Sequence, residues 1–442
     1  MAGASWNISV KAAGGLKELN GTLPQRVTLK PPKPRKYAHF DDPLSLEQLK
    51  KFSVSERDVA VRAFLPFLGY QKVIRKIDFS VFPPIVSEKP RDIRYASHTD
   101  SAIFSIYAQI LSVYYENRLS AISLDNSVLA YRSKIGYNVP FAKSLIDEIR
   151  FRGSCHVICL DISKFFDNIS HILLKNSLCN ILNVKRLPED IFKIFERTTT
   201  YEYVSREDLE NKFGKLKGGR ICQIDTFRSA VRPLVKKNPN PYGIPQGTPL
   251  SGLFANISML EFDAALKYKV SECGGSYRRY SDDIAIVLPS ICYEANILDF
   301  AENLLTKYGL SFNKNKTCRT TFSPSAAGQS TSGDVLQYLG FTFDGIKILI
   351  RPESIKNFYA KMKGNIDRYV KDGIKRKKIP PTELRKRVLI GRFTHWGDSR
   401  NFIQYAYRAA RELKAPEIKR QLRNHVAIFD RQWAKAVKKY YS

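Results

Sequence analysis

The sequence lacks the cysteine patterns of zinc-binding and disulfide-bonded domains. Its seven cysteines are odd in number and scattered, none of them forms a CxxC motif, and only six histidines accompany them. Cys155, His156 and Cys159 lie close together, but their segment has the composition of a β-strand, whose neighbouring side chains point in opposite directions. A zinc site is therefore not expected, and the thiols are typical of buried apolar residues in a reducing compartment.

Long apolar runs are also missing. No stretch reaches the length that a membrane-spanning helix needs, and the start of the chain does not show the basic and then apolar pattern of a signal peptide. The sequence thus predicts a cytoplasmic protein without a membrane association. Hydrophobic residues make up 43% of the 442 positions, which is enough for a substantial core. A chain of this length is expected to form about two to four subdomains.

Acidic residues are few compared with basic ones. The chain has 72 lysines and arginines against 42 aspartates and glutamates, a net charge of +30. Residues 353–442 hold 24 of the basic and eight of the acidic residues, so that +16 of this charge lies in the last 90 positions. A charge run is usually a solvated surface, but a field of this size attracts polyanions, and nucleic acid is the first partner to consider.

Two acidic sites stand out against this basic background. Asp161 ends the apolar run HVICLD, which predicts a buried strand, and Asp282-Asp283 separates two predicted strands in SYRRYSDDIAIVL. Each site alone has a simpler interpretation, Asp161 as a helix N-cap and the Asp-Asp pair as a solvated turn. Carboxylates that lie close together repel one another unless a proton or a cation intervenes, and Mg²⁺ prefers such carboxylates together with substrate phosphates.

Three segments in a fixed order carry a resemblance to a known family. They are DISKFFDNI (161–169), PYGIPQGTPLSGLFANISMLEFD (241–263) and RYSDD (279–283). Together they resemble the three palm motifs of the reverse transcriptases of the retron, group II intron and bacterial defence lineage. The resemblance covers most of residues 85–350. It includes weaker matches of KPRDIR (89–94) and AYRS (130–133) to the fingers motifs, FNKNKT (312–317) to the lysine-bearing motif and YLGF (338–341) to the primer-grip hairpin.

The resemblance implies a role for each matching residue. The predicted catalytic residues are Asp161, Asp282, Asp283 and Lys316, and the predicted site for two Mg²⁺ ions consists of Asp161, Ile162, Asp282 and Asp283. The predicted nucleotide-binding residues are Arg91, Arg94, Phe166, Gln246 and Gly247, and the predicted primer grip is Tyr338, Leu339 and Gly340. In the family, an aromatic ring at the position of Phe166 excludes a ribose 2′-hydroxyl. Lys316 would lie near the leaving pyrophosphate.

Several of these residues also have an ordinary structural interpretation. Phe165 and Phe166 are adjacent, so one ring in the core and one at the sugar is reasonable, while two rings in the core is the alternative. Lys316, Arg91 and Arg94 taken alone are typical of solvated charge, and GIPQG alone is typical of a turn before a helix. The order of the motifs, and not any single residue, favours the functional interpretation.

The implied fold class is α+β, a right-hand polymerase with a ferredoxin-like palm, helical fingers and a helical, basic thumb. The predicted boundaries are 1–40 for an N-terminal extension, 41–150 and 172–242 for the fingers with an insertion, 151–171 and 243–345 for the palm, and 346–442 for the thumb. Periodicity predicts helices over about 45–68, 100–118 and 140–150, and a hairpin that turns at Asp344-Gly345. Glycines and prolines interrupt residues 1–40, which predicts a flexible, extended arm with solvated charge, and a specific RNA contact is the alternative.

The implied reaction is RNA-templated DNA synthesis from deoxynucleoside triphosphates with Mg²⁺. The sequence shows no Val-Thr-Gly signature of retron enzymes. We do not expect the DNA-binding or endonuclease module of group II intron proteins or the large helical domain of the long abortive-infection relatives. The sequence resembles the unclassified bacterial defence-associated enzymes, which implies antiphage defence with a dedicated non-coding RNA as template. A template-independent or protein-primed polymerase and a non-catalytic RNA-binding scaffold remain as alternatives, and a homo-oligomer stays open.

Overall fold

The structure is a computed structural model that describes residues 29–78, 85–132, 136–292, 294–397 and 400–441. The α-helices of this part are α1 (Leu46–Lys50), α2 (Glu56–Ala60), α3 (His98–Ala121), α4 (Asn138–Arg152), α5 (His171–Leu182), α6 (Glu189–Thr199), α7 (Arg206–Phe213), α8 (Ile224–Thr226), α9 (Ser251–Ser258), α10 (Leu260–Glu272), α11 (Glu294–Thr306), α12 (Pro352–Lys371), α13 (Arg387–Phe393), α14 (Phe402–Glu412), α15 (Pro416–Gln421) and α16 (His425–Tyr441). The β-strands are β1 (Ala38–His39), β2 (Phe67–Asp78), β3 (Ile85–Tyr95), β4 (Cys155–Asp161), β5 (Glu202–Ser205), β6 (Gly219–Arg220), β7 (Lys236–Lys237), β8 (Ser276–Tyr280), β9 (Asp283–Pro289), β10 (Cys318–Ser325), β11 (Gly328–Gly333), β12 (Leu336–Tyr338), β13 (Phe341–Phe343) and β14 (Ile348–Ile350).

A five-stranded antiparallel sheet in the order β11-β10-β4-β9-β8 forms the centre of the predicted palm. The residues of its middle strand β4 alternate between two cores. Ile158 and Leu160 pack with helices α3, α5, α9 and α10, whereas Val157 and Cys159 pack with α4 and the C-terminal helices. Because both faces of the sheet are covered, β4 is apolar along almost its whole length, as its composition predicted.

Several predicted elements around this sheet are confirmed. Strands β8 and β9 form the predicted strand–turn–strand hairpin with Ser281-Asp282 at the turn. Strands β13 and β14 form the hairpin that contains Asp344-Gly345. Helices α3 and α4 are slightly longer than predicted, and the hydroxyl of Ser97 caps α3 by accepting a hydrogen bond from the Asp100 amide.

A second sheet, in the order β3-β2-β5-β7, was not predicted from the sequence. Strands β2 and β3 form a long antiparallel hairpin, and β5 of the predicted insertion adds to it in parallel. The predicted helix over 45–68 is wrong, because Ser45 and Ser55 each cap a separate short helix and β2 begins at Phe67. The predicted helical fingers therefore also contain a sheet, which buries Leu68 and Val204 against the insertion.

Residues 29–40 are docked on the rest of the chain, which corrects the expectation of a flexible arm for this part. The Lys30 amide donates a hydrogen bond of 2.7 Å to Gln109 Oε1, and Gln109 Nε2 donates one of 3.0 Å to the Lys30 carbonyl. Strand β1 pairs in parallel with β6 of the insertion. Residues 1–28 of the predicted extension lie outside the described residues.

The chain after β14 is helical, as predicted. The buried residues of α12 are Phe358, Met362, Ile366 and Val370, which recur every four positions and pack in one core with Phe429 of α16. The basic runs lie on the surface, where Lys375 to Lys378 are all exposed. No helix within the described ranges is both long and apolar enough to cross a bilayer.

Candidate active site

The end of strand β4 brings the two acidic sites together. Asp161 and Asp283 are direct partners in the β4–β9 ladder, although 122 positions separate them. The Ile162 amide donates a hydrogen bond of 2.9 Å to the Asp282 carbonyl, which fixes the acidic turn to the residue after Asp161. The structure therefore places three aspartates predicted from separate motifs at one edge of the central sheet.

A buried ion pair holds the backbone of the acidic turn. The Arg279 guanidinium is fully buried and donates hydrogen bonds of 2.7 and 2.6 Å to the two carboxylate oxygens of Asp263 on α10. Its Nη1 also donates a hydrogen bond of 3.0 Å to the Ser281 carbonyl, where the backbone has a left-handed φ of 63°. The sequence offered one signal for this role, because the alternation of β8 places Arg279 on the same buried face as Tyr277.

The acidic site disfavours the charged form of one carboxylate, that of Asp283. Burial raises the pKa of Asp283 to about 7, and the negative charges of Asp282 and Asp161 add to this rise. The positive charges of Lys316 and Arg351 act in the opposite direction. Asp283 thus carries a substantial proton population at neutral pH when no other cation lies beside it.

Lys316 lies directly against Asp161. Its ammonium donates a hydrogen bond to Asp161 Oδ1, and the Asn313 amide of the same loop donates one of 2.8 Å to the Asp161 carbonyl. The lysine-bearing motif therefore packs on the strand end that carries Asp161.

The donor chemistry of this site fits a hard divalent cation, because all three acids offer carboxylate oxygens. Within the residues that the structure describes, no group of three or more carboxylate, imidazole or thiol side chains is already arranged around a metal position. The Lys316 ammonium instead neutralises Asp161. A divalent ion would relieve the same crowding of negative charge that raises the Asp283 pKa, so the residues fit such an ion once Lys316 releases Asp161.

The GIPQG loop packs against strand β3. The Arg94 amide donates a hydrogen bond of 2.8 Å to the Gln246 carbonyl, and Gln246 Nε2 donates one of 3.2 Å to Asp167 Oδ1. Gly247 has a φ of 128°, and a Cβ at this position would lie 2.8 Å from the Arg94 carbonyl oxygen. Only glycine permits this close approach, which joins the predicted nucleotide-binding residues of the palm and fingers.

The Arg94 side chain is held by the insertion. Its guanidinium carbon lies 4.1 Å from the ring centroid of Tyr203 on β5, and its Nη2 lies 3.3 Å from Asp92 Oδ2. The Arg94 Nε is buried without a hydrogen-bond partner. Arg91 is exposed, and the odd spacing of three places it on the other face of β3, so the structure does not bring it together with Arg94.

The two adjacent phenylalanines take different environments. Phe165 is buried in the palm core, whereas Phe166 is only half-buried and presents its ring to Tyr131 at a centroid distance of 6.3 Å. The Phe166 carbonyl accepts a hydrogen bond of 2.9 Å from the Ile244 amide, which ties the first motif to the GIPQG loop. Phe165 thus lies inside the core, whereas Phe166 packs on the edge of the same core and beside Tyr131.

The predicted primer grip is a tight turn between β12 and β13. Leu339 and Gly340 both have a positive φ, of 47° and 91°, as a two-residue hairpin turn requires. The Leu339 carbonyl accepts a hydrogen bond of 3.1 Å from Asn138 at the start of α4. Tyr338 is buried with an unpartnered hydroxyl, and burial raises its pKa.

A comparison with protein families matches residues 102–343 to the reverse transcriptase (RNA-dependent DNA polymerase) family. This chain belongs to the reverse transcriptase family. Its mixed helices and sheets form the α+β fold that the sequence predicted. The matched range of this reverse transcriptase contains the three aspartates, Phe166 and the GIPQG loop, whereas Arg91 and Arg94 precede it. No curated protein matches the chain.

Several solved structures are similar to this reverse transcriptase at low identity. Apo telomerase from Candida tropicalis, truncated from its C-terminal domain, is 14% identical with a TM-score of 0.42, and the match covers 66% of this chain and 56% of that chain. The longer apo telomerase from Candida tropicalis is 12% identical with a TM-score of 0.44, over 91% and 67% of the two chains. Telomerase from Candida albicans in complex with a TWJ fragment of telomeric RNA is 14% identical with a TM-score of 0.39, over 88% and 68%.

Proposed function

We propose that this chain is an RNA-directed DNA polymerase that adds deoxynucleotides to a primer 3′-hydroxyl. The observation that carries the proposal is the pairing of Asp161 with Asp283 across β4 and β9, with Asp282 in the adjoining turn. Membership of the reverse transcriptase family supports the same reaction. Crowding of the three carboxylates raises the pKa of Asp283 and therefore works against stability, which favours a functional use for them.

Asp161, Asp282 and Asp283 would hold two Mg²⁺ ions. Ile162 has an apolar, buried side chain, so it would contribute only its main-chain carbonyl. When bound, two such ions lower the pKa of the attacking hydroxyl and neutralise charge on the departing pyrophosphate. Lys316 would turn from Asp161 toward the pyrophosphate, to which a lysine can supply a proton or a positive charge.

Arg94, Gln246 and Gly247 would bind the incoming nucleotide. The Arg94 Nε is buried without a hydrogen-bond partner, and a triphosphate would supply the missing acceptor. Tyr203 keeps the plane of this guanidinium fixed, so the insertion takes part in nucleotide binding through β5. Arg91 would meet the triphosphate only through a movement of β3, since it lies on the opposite face of that strand.

Primer extension tests the proposed function directly. The full-length protein, given a labelled DNA primer on an RNA template of mixed sequence, Mg²⁺ and all four deoxynucleotides, is expected to extend the primer to the template end. Extension with one deoxynucleotide and no template, or a product that protease digestion shifts, would favour the template-independent or protein-primed alternative. Steeply salt-dependent RNA binding without any incorporation would favour the non-catalytic scaffold.

Selection of deoxynucleotides is expected to depend on Phe166. Replacing Phe166 by valine opens space beside the sugar, so the ratio of catalytic efficiencies for a deoxynucleotide over its ribonucleotide should fall by about 10–200-fold, the range that steric pockets achieve. Single-nucleotide incorporation kinetics measure this ratio. The matched control is Phe165→Val, which removes the same atoms from the core and should lower the thermal midpoint without changing the ratio. A ratio that stays unchanged in Phe166→Val would contradict the assignment.

We also propose a role in bacterial antiphage defence with a dedicated non-coding RNA as template, in the cytoplasm. The segments KPRDIRYASHTDSAIFSIYAQ (89–109) and GGSYRRYSDDIAIV (274–287), which resemble the defence-associated enzymes, support this role. The exposed basic residues of the C-terminal helices, such as Lys375 to Lys378, offer a surface for an RNA backbone. Sequencing of the RNA and DNA that co-purify with the protein tests the proposal, and a random mixture of cellular RNA without complementary DNA would contradict it.

A further inference from the structure

Tyr131 has a backbone conformation that costs free energy. Its φ of 58° lies in the left-handed region, which a bulky residue without glycine's freedom rarely adopts. Strain of this kind persists only where the surrounding structure enforces it, and it is concentrated at functional sites. Tyr131 belongs to the AYRS segment, and no role has been assigned to it in the proposed reaction.

The residues on both sides of Tyr131 are fixed by hydrogen bonds. The Leu129 amide donates one of 2.9 Å to the Arg279 carbonyl, and Asn256 Nδ2 donates one of 2.7 Å to the Ala130 carbonyl. On the other side, Arg132 Nε donates one of 2.9 Å to Glu116, and its Nη1 donates one of 2.7 Å to the Val128 carbonyl. The bonds of the Leu129 amide and the Ala130 carbonyl hold the main chain just before Tyr131, and the Arg132 side chain anchors the residue after it.

The result is an exposed aromatic ring at the junction of the three palm motifs. Tyr131 is 53% exposed, whereas Ala130 beside it is 2% exposed. One part of the ring lies on Gly252 in the first turn of α9, where a Cβ would come within 2.5 Å of it. The ring also meets Phe166 edge-on, and the Ser281 hydroxyl donates a hydrogen bond of 3.2 Å to the Tyr131 hydroxyl.

We propose that Tyr131 is a positioning residue for the end of the template–primer. Its exposed ring supports the base pair at the primer terminus, and its contact with Ser281 aligns that base pair with the turn that carries Asp282. The inference rests on the proposed function. Nucleic-acid bases are the fitting partner, because every base has an apolar, polarisable face that stacks on an aromatic ring, and Phe166 beside it is proposed to meet the sugar.

The test compares Tyr131→Gly, Tyr131→Phe and the exposed control Tyr268→Ala on α10. Glycine adopts a φ of 58° without strain. The thermal midpoint of Tyr131→Gly should therefore be no more than about 2 °C below that of the wild type. The dissociation constant of Tyr131→Gly for a template–primer should rise roughly tenfold, as the loss of one stacking contact implies.

Tyr131→Phe keeps the ring and should bind like the wild type, with a lower kcat because the Ser281 contact is lost. Tyr268→Ala should match the wild type throughout.

A fluorescent base gives a readout that does not depend on catalysis. With 2-aminopurine in the terminal base pair, fluorescence should be quenched on binding to the wild type and to Tyr131→Phe, but not on binding to Tyr131→Gly. Equal quenching and equal affinity in all three proteins would overturn the inference. If Tyr131→Gly fails to fold, Tyr131→Asn replaces it, because asparagine tolerates the left-handed region. A wild-type protein that binds and quenches but extends no primer would instead count against the proposed function.

Discussion

Primer extension is expected to stop when Asp282 and Asp283 are both replaced by alanine. The loss should be about a thousandfold or more, because the carboxylates that hold the metal ions supply several kcal/mol of transition-state stabilisation and each 1.4 kcal/mol corresponds to a factor of about ten. The measurement is single-turnover incorporation on an RNA template. A matched control replaces two exposed acids of α11, Asp299 and Glu302, which should leave the rate unchanged. Equal rates in both double variants would end the catalytic assignment.

The single variant Asp283→Asn separates the function of this acid from its effect on stability. The pKa of Asp283 is about 7 in the folded protein, against an ordinary value of 3.8. The folded protein therefore holds this proton more tightly than the unfolded chain, and stability without metal falls as pH rises from about 4 to 7. Asparagine carries no charge to be desolvated, so at pH 8 the variant should be more stable than the wild type by up to a few kcal/mol.

Thermal unfolding in the presence of a chelator measures this difference. At pH 4 the two proteins should unfold at similar temperatures, and at pH 8 Asp283→Asn should unfold at the higher temperature while its incorporation rate is low. Such a gain of stability with a loss of activity is typical of residues kept for function. A variant that loses both stability and activity at pH 8 would show that Asp283 has a structural role.

The sequence predicted those parts of the site that depend on local pattern. The hairpin around Asp282 follows from the acidic turn between SYRRY and the apolar run IAIVL, and the buried strand before Asp161 follows from the run HVICLD. The pairing of Asp161 with Asp283 also followed, because the order of the motifs resembles a family in which these acids meet. The meeting of these acids at one edge of the central sheet was thus predictable from the sequence.

Contacts between distant segments were not accessible in this way. Strands β2 and β3 contain many charged residues and a proline, so their apolar alternation is weak and the hairpin was missed. The stacking of Arg94 on Tyr203 joins positions separated by more than a hundred residues, and no local pattern signals it. The left-handed φ of Tyr131 likewise has no local signal, and the bonds beside it join Leu129 to Arg279 and Ala130 to Asn256, in distant segments.

The ion pair of Arg279 and Asp263 was not predicted, because the alternation of β8 signals a buried Arg279 but does not identify its partner on α10. Both side chains are 0% exposed, and Tyr277 donates a further hydrogen bond of 2.6 Å to Asp263 Oδ1. Replacing Asp263 by alanine leaves a buried, uncompensated guanidinium, so the free energy of unfolding should fall by about 3–5 kcal/mol. For a unit of the size of the palm, this corresponds to a thermal midpoint lower by about 10 °C.

The measurement must report on the palm, because Trp396 follows α13 and Trp433 lies in α16, so their fluorescence would follow the C-terminal part of the chain. Hydrogen exchange of the β8 and β9 amides reports on the palm. In Asp263→Ala, these amides should be the first to lose protection against exchange. The partly exposed pair Lys193–Glu196 on α6 is the control, since Glu196→Ala should cost no more than about 1 kcal/mol.

A double variant distinguishes the two roles of the pair. Asp263→Leu with Arg279→Met replaces both charges by apolar groups of similar volume, so it should recover most of the stability that Asp263→Ala loses. It cannot recover the hydrogen bond from Arg279 Nη1 to the Ser281 carbonyl, which holds the turn that carries Asp282. The double variant should therefore be stable and slow at nucleotide incorporation. Full activity in this variant would show that the turn keeps its shape without Arg279, and that the buried pair serves stability alone.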